Sequence, residues 1–528
     1  MEVTSDAGLI AQAYLALGDR LFAKLRGEFA LLIHDRREQV LLALRDVAGC
    51  RPLFFENAGD CLYVATEIRQ ILAGSGRPPR LNEECMVRFL LSPTFEGETN
   101  TMYAGVSRIL SARTYRFPMS PPFQPGRSLY WSPPQEQALP AGGIPALTRQ
   151  LRERLERAVA RALPPDPFGV SLSGGLDSST VWSLIVRRAQ SGDACAAEGL
   201  PYSLVFPGLP CDESRYISST ARKTGVSGEL IDAGAARPSA FLDRLSETLD
   251  TPVAGPTMYH IDLVAQKLRA TGRRVMMTGL GGDEWMGGSV SYLKDDFWSG
   301  RVVGVLLDVF RLRLDLRIPR CRLLWNYVLA PAGGVRVLMR GFTPPPWLPS
   351  GYTRLYCELQ TRLLCRSAHD SHARSELLRI LGWLQGGTIL EAIEQNAASY
   401  GVEIRHPLMD QDLIDFAFMT PAHAFYTGAR KKQLLRLAMF DALAADVRER
   451  RWATTFESVL SGDRDLMAMA GADLERWQLV GKGLVETAKN CDLRAVMVNS
   501  DDEPTMLGYR MCAAEIFLRA LQKPRQSI

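Results

Sequence analysis

The residues with chemistry to offer cluster first at a small-residue turn. An apolar run, Phe168 to Leu172, ends in Ser173-Gly174-Gly175, and Asp177 and Ser178 follow at once. Glycines at 174 and 175 let the backbone bend and approach a ligand without a side-chain clash. A helix starting behind them presents unpaired N–H groups and the positive end of its dipole, so an oxyanion is the natural guest. Asp177 would repel a bare anion, which implies a guest that arrives with a divalent cation; pyrophosphate with magnesium meets both demands. A second buried run, Arg274 to Thr278, leads into Gly279-Leu280-Gly281-Gly282 and a second acid, Asp283.

Further along, Lys432 and Arg436 stand four residues apart and would share a helix face. That face suits a phosphate or a departing pyrophosphate, with an ordinary solvated basic face as the competing account. Glu403 could orient a nucleophile or Arg405, or simply neutralise that arginine. His369 and His372 stand three apart, but no acid or thiol nearby completes a metal set.

The elements that must position these groups can be read from periodicity. Ser178 to Arg188 has helical spacing behind the first loop, Tyr202 to Phe206 reads as a buried strand ended by Pro207 and Gly208, and Asp212-Glu213 open a helix through Ala221. A packing helix is expected from Pro145 to Ala162. Residues 7 to 26 carry apolar positions at helical spacing, and three stretches then alternate as strands: EFALLIHD, QVLLALRD and PLFFENAGDCLYVAT. Leu312 to Ile318 alternates strictly, which favours strand by period while its flanks favour helix.

The 528 residues exceed one ordinary core, and their 46% hydrophobic and 23% charged content is globular. A formal charge of +4, with Lys and Arg scattered, calls for neither a nucleic-acid nor a membrane partner. Ten cysteines without a C-x-x-C pair argue against a zinc site or a disulfide framework. The acidic start lacks signal-peptide character and no uncharged run spans a bilayer, so the expected location is the cytoplasm.

SGGLDSS resembles the pyrophosphate loop of ATP pyrophosphatases, the family of asparagine synthetase, GMP synthetase, NAD synthetase and some tRNA-modifying enzymes. GLGGDE and GVEIRHPLMD resemble the second and third asparagine synthetase signatures, and LRGEFALLIHDRREQVLLALRDVAGCRPLFF resembles the glutamine amidotransferase domain that precedes them. The implied fold is α/β: a truncated glutaminase-like (Ntn-type) α+β domain at 1–131, a linker at 132–145, and an ATP-pyrophosphatase domain with a mostly parallel sheet flanked by helices at 146–528. The resemblance implies ATP and Mg2+, with Asp177 and Asp283 facing each other across the strand ends as metal ligands. Leu172, Ser173, Gly174, Gly175, Asp177, Ser178, Phe206, Thr278, Gly279 and Arg436 would surround the nucleotide, and Asp177, Asp283, Glu403 and Lys432 would serve the chemistry. Phe206 falls where a backbone contact to adenine is expected, with plain core packing as the alternative.

Departures narrow the chemistry. The family's glutaminase acts through a cysteine after the initiator methionine, and residue 2 here is Glu2; the first strands of that domain are expected to be missing, or the domain to be scaffold. Leu280 stands where asparagine synthetases carry Glu and β-lactam synthetases Tyr, and Ala453 stands where both carry lysine before a phenylalanine, here Phe456. The chain is most similar to lasso peptide cyclases, which close a side-chain carboxylate onto the amino terminus of the same peptide. The resemblance implies a precursor peptide as partner, with a leader peptidase and a leader-binding protein as accessories. Another amide ligase of this type, or a silent peptide-binding paralogue, are the competing expectations.

Overall fold

The computed structural model describes residues 5–92, 99–253, 255, 257–316, 319, 321, 324–329, 343–364, 370–386, 388–426, 430–451, 454, 459, 463–470, 476–486 and 502–522. Its first helix, Asp6–Leu17, is capped by the Ser5 hydroxyl, which accepts from the Gly8 N–H. It does not run to residue 26. Gly18 takes φ +57°, a conformation that ends an α-helix, and a 3-10 turn, Gly18–Lys24, carries the chain on.

Seven strands follow: β1 (Ala30–Asp35), β2 (Val40–Arg45), β3 (Phe54–Ala58), β4 (Cys61–Ala65), β5 (Val106–Arg108), β6 (Arg113–Pro118) and β7 (Gly126–Leu129). They form two antiparallel sheets, ordered β1-β2-β6-β7 and β4-β3-β5. Ala43, Phe55, Tyr115 and Phe117 fill the space between them, with the Phe55 and Phe117 rings edge to face at 5.0 Å.

The second unit is built on five parallel strands: β8 (Phe168–Ser171), β9 (Gly199–Val205), β10 (Glu229–Asp232), β11 (Val275–Met277) and β12 (Glu403–Arg405). Their order is β10-β9-β8-β11-β12. The chain therefore winds outward from β8 to one side and later to the other, which makes the C-terminal ends of β8 and β11 a topological switch point where open α/β sheets bind ligands. Helices cover both faces, so Phe168 and Val170 are fully buried. At Gly169 a Cβ would come within 2.3 Å of Leu268, so glycine is what lets the helix Met258–Ala270 lie directly on β8. The stretch 312–316, ambiguous by period, belongs to the helix Val302–Leu316; its inward positions Val305, Val309 and Leu312 repeat at helical spacing.

Ion pairs join the two units. Arg108 makes two bonds to the Glu391 carboxylate, at 2.5 and 2.8 Å, and Arg45 reaches the same group at 3.4 Å; all three side chains are buried. Arg51 sits among Glu28, Glu394 and Glu403. Residues 132–142 run as irregular backbone against the second unit, where Gln137 donates to the Met419 carbonyl and Arg374 to the Pro133 and Pro134 carbonyls. No described helix is long and apolar enough to cross a membrane, and the described cysteines are free thiols.

Candidate active site

The first loop leaves β8 and enters the helix Leu176–Gln190. Ser173 and Ser178 tie its ends together: their hydroxyls lie 3.0 Å apart, the Ser173 N–H donates to Ser178 Oγ, and the Gly175 N–H donates to Ser173 Oγ. Gly174 has φ +71°, and a Cβ there would strike Tyr216 at 2.8 Å, so glycine lets the loop fold against the helix Ser214–Thr224. The turn thus holds a helix N-terminus open at the switch point.

The second loop packs onto that N-terminus. A Cβ on Gly279 would lie 2.6 Å from the Ser178 nitrogen, and one on Gly282 would lie 2.4 Å from Asp177 Oδ1. These glycines are therefore required by the close approach of the two loops, and that approach brings Asp177 and Asp283 to one place. Lys432 Nζ lies between them, 2.6 Å from Asp177 Oδ2 and 3.0 Å from Asp283 Oδ1, and Lys431 Nζ lies 3.2 Å from the same Asp283 oxygen.

Burial raises the Asp177 carboxyl despite the nearby Lys432 ammonium. Burial also works against ionised Asp283, but Lys432 and Lys431 outweigh it and the net shift is downward. Lys432 itself is pushed down by burial and further up by the two carboxylates, so it stays charged. Asp177 Oδ1 is buried without a hydrogen-bond partner. Two carboxylates with a spare oxygen, beside free helix N–H groups, form the hard-oxygen set that suits magnesium on a polyphosphate.

A cation that the sequence did not single out completes this edge. The Arg450 guanidinium lies over the Tyr216 ring, 4.3 Å from its centroid, and reaches the Gly174 carbonyl at 3.4 Å. It also pairs with Glu213 and Thr454, which bond each other at 2.8 Å. Glu213, expected only to start a helix, thus also fixes the arginine behind the phosphate loop. The run Arg448-Glu449-Arg450-Arg451 offers no local signal for which member turns inward.

Other expected residues take different stations. Leu172 is buried, with its N–H on the Tyr202 carbonyl. Phe206 lies in a small core with Cys211 and Tyr259, and its N–H donates to Asp212. Thr278 bonds His406 Nδ1 at 2.7 Å, and the Leu280 N–H reaches the Thr278 hydroxyl. Leu280 is half-buried against both main cores and brings no acid or base.

Lys432 and Arg436 do not share a helix face. Lys432 precedes the helix Gln433–Ala438 at φ +57°, and Arg436 is spent on the carbonyls of Lys431, Arg448 and Arg450. Arg436 therefore braces both the lysine turn and the Arg450 segment. Glu403 opens β12 and pairs with Arg405 and Arg51, each at 2.8 Å, apart from the Asp177 cluster. His372 bonds Asp295, and no group of three metal-ligating side chains occurs among the described residues. Glu2, His369, Gly428, Ala453 and Phe456 lie outside the described residues.

Comparison with known proteins agrees with this geometry. The Asparagine synthase family pattern matches residues 150–495, and a Glutamine amidotransferase domain pattern matches residues 1–121. The chain is similar to amidase chry2 of Gibberella zeae, with 29% identity over 305 residues covering 55% of this chain and 44% of the relative. Amidase chyE of Penicillium rubens is 28% identical over 307 residues, 55% of this chain and 44% of the relative. Asparagine synthetase [glutamine-hydrolyzing] 1 of Bacillus subtilis is 23% identical over 468 residues, 82% of this chain and 68% of the relative. The match thus spans less than half the length of the two fungal relatives. Members of the matched family are ATP-dependent, AMP-forming carbon–nitrogen ligases, and with its pattern covering more than half of the residues, this chain belongs to the asparagine synthase family.

Proposed function

We propose that this protein forms an amide bond with ATP, closing a macrolactam between a side-chain carboxylate and the N-terminal amine of one precursor peptide, as lasso peptide cyclases do. The observation that carries the ATP chemistry is the cluster Asp177, Lys432 and Asp283 beside an open helix N-terminus at the switch point. A carboxylate oxygen of the peptide attacks the α-phosphorus and pyrophosphate leaves. The peptide amine then attacks the acyl carbon, AMP leaves with the acyl–oxygen bond, and the amine gives up its proton.

The chain's share is positioning and charge neutralisation. The open N-terminus of the helix Leu176–Gln190 and the Lys432 and Lys431 ammoniums would face the departing pyrophosphate. Asp177 and Asp283 would hold magnesium, which when bound neutralises phosphate charge. Leu280 supports the choice of amine, because it supplies no base, and a peptide α-amine with a reference pKa near ~8 needs little help to lose its proton. Pyrophosphate exchange into ATP tests the reading: it should require the peptide carboxylate, and exchange with no carboxylate-bearing peptide would overturn it.

A second reading is favoured by the Bacillus subtilis relative named asparagine synthetase, whose named product is a small molecule: an amide ligase acting on a small carboxylic acid. It predicts exchange with small carboxylic acids in place of peptides.

A further inference from the structure

The five-stranded sheet ends at β12, and the outer edge of that strand meets the first unit. The Glu403 N–H donates to the Arg274 carbonyl and the Arg405 carbonyl accepts from the Thr278 N–H, so both residues pair inward, toward β11. Backbone groups alternate along a strand, which turns the N–H of buried His406, one residue past β12, to the open edge. An N–H there needs an acceptor from elsewhere, and Glu28 of the first unit supplies it through Oε1. Glu28 is placed for this by its neighbour Phe29, whose N–H and carbonyl both bond Asp46. Asp46 also caps the turn that carries Arg51, which pairs with Glu28 at 3.3 Å and with Glu403 at 2.8 Å.

The same histidine grips the second glycine loop with its side chain. His406 Nδ1 lies 2.7 Å from the Thr278 hydroxyl, and that hydroxyl accepts from the Leu280 N–H at 3.3 Å. Burial lowers the His406 imidazole to about 3, so the ring is neutral and Nδ1 can accept the Thr278 proton. The loop then rests on the segment that follows His406. A Cβ at Gly281 would lie 2.5 Å from the Leu408 carbonyl, and Trp285 Nε1 reaches the Met409 sulfur at 3.3 Å. Asp283 stands between these two points of support. The first unit therefore reaches the loop that carries Asp283 through successive hydrogen bonds, from Glu28 to His406, to Thr278 and to the Leu280 backbone.

We propose that Glu28 is a positioning residue for the ATP site: by accepting from the His406 N–H it fixes the loop from Thr278 to Asp283, and the first unit thereby sets the geometry at which the second unit takes magnesium and the phosphates. The proposal rests on the ATP chemistry stated above and not on which amide is formed. The contact requires an acceptor and not a charge. Burial pushes the Glu28 carboxyl up to about 8, so near neutral pH it keeps its proton while Oε1 still accepts. Glutamine therefore preserves the contact, whereas alanine leaves the His406 N–H buried and unpaired.

Calorimetric titration of the full chain with ATP in excess magnesium, near neutral pH, separates positioning from stability and needs no turnover. Glu28→Ala should weaken ATP binding about tenfold, and Glu28→Gln should bind within about twofold of the wild type. A merely structural role would lower the thermal midpoint and the bound fraction of Glu28→Ala while leaving the Kd of its folded molecules at the wild-type value, and that result overturns the proposal. So does a Glu28→Gln protein that binds as weakly as Glu28→Ala. If Glu28→Ala does not fold, the next link carries the test. His406→Leu should weaken binding about tenfold, whereas His406→Asn, which keeps a hydrogen-bonding group at the δ position, should bind several-fold more tightly than His406→Leu. Equal affinity in these two variants overturns the proposal. A wild type that binds no ATP would overturn the ATP reading itself, and the proposal with it.

Discussion

Lys432 Nζ lies 2.6 Å from Asp177 Oδ2, across 255 residues of sequence, and this pair closes the gap between the two glycine loops. The backbone of Lys432 is held in the left-handed region at φ +57°, a placement that few side chains adopt without a tertiary reason. The ammonium neutralises two carboxylates that would otherwise repel each other at the site where phosphate charge must be managed.

Substitution at either end of this pair should remove activity without unfolding the chain. Asp177→Asn keeps the shape but discards the charge, and pyrophosphate release should fall by about 10²–10³-fold. Lys432→Met should fall comparably, because it leaves Asp177 without its ammonium, while Lys431 reaches only Asp283. Near-normal turnover in the Asp177→Asn protein would mean that the metal and phosphates bind elsewhere.

Arg450 is expected to act on ATP binding. Its guanidinium bonds the Gly174 carbonyl and Glu213 while stacking on Tyr216, and lysine cannot reproduce that planar fork. Arg450→Lys should raise KM for ATP about tenfold with a smaller change in kcat, and Glu213→Gln should move KM in the same direction. An unchanged KM in both would confine these residues to packing.

The contact between the two units rests on Glu391. Its carboxylate serves the buried Arg45 and Arg108, so Glu391→Gln leaves two buried guanidiniums short of a counter-charge. A loss of about 3 kcal/mol is expected in urea unfolding, the range for breaking a buried pair from one side. A change within the error of the measurement would show that water reaches these arginines.

Stability should depend on pH through Glu28. Burial pushes its carboxyl up to about 8, from an ordinary value of 4.5, and Arg51, shared with Glu394 and Glu403, offsets only part of that. Between these values the folded chain keeps a proton that the unfolded chain has lost. This contribution is therefore fully present below pH 4.5 and lost as pH rises through about 8. His406, lowered to about 3 by burial, works in the opposite sense. The difference in thermal midpoint between wild type and Glu28→Gln isolates the first effect: the wild type should lose ground to the variant as pH rises from acid to alkaline. A constant difference would mean that Glu28 titrates alike in the folded and the unfolded chain.

Much of this arrangement could be read in the chain itself. β8 and β11 are covered on both faces and so run continuously apolar, and the glycines after them had to permit close approach; in the fold Asp177 and Asp283 both reach Lys432. Pairings distant in sequence left no local trace: Arg108 with Glu391, or Arg450 with the Gly174 carbonyl, become visible only in the fold. The helical spacing of Lys432 and Arg436 misled, because the helix starts one residue later and Arg436 satisfies backbone carbonyls. For Val302–Leu316, periodicity reported apolar residues but not that one face stays uncovered.

The most direct test of the central claim is the mass of the product formed from a precursor peptide and ATP. The account predicts a single peptide lighter by one water, with one AMP and one pyrophosphate released per ring closed. A product heavier by a separately supplied amine, or a peptide recovered unchanged while a small carboxylic acid is consumed, would contradict it.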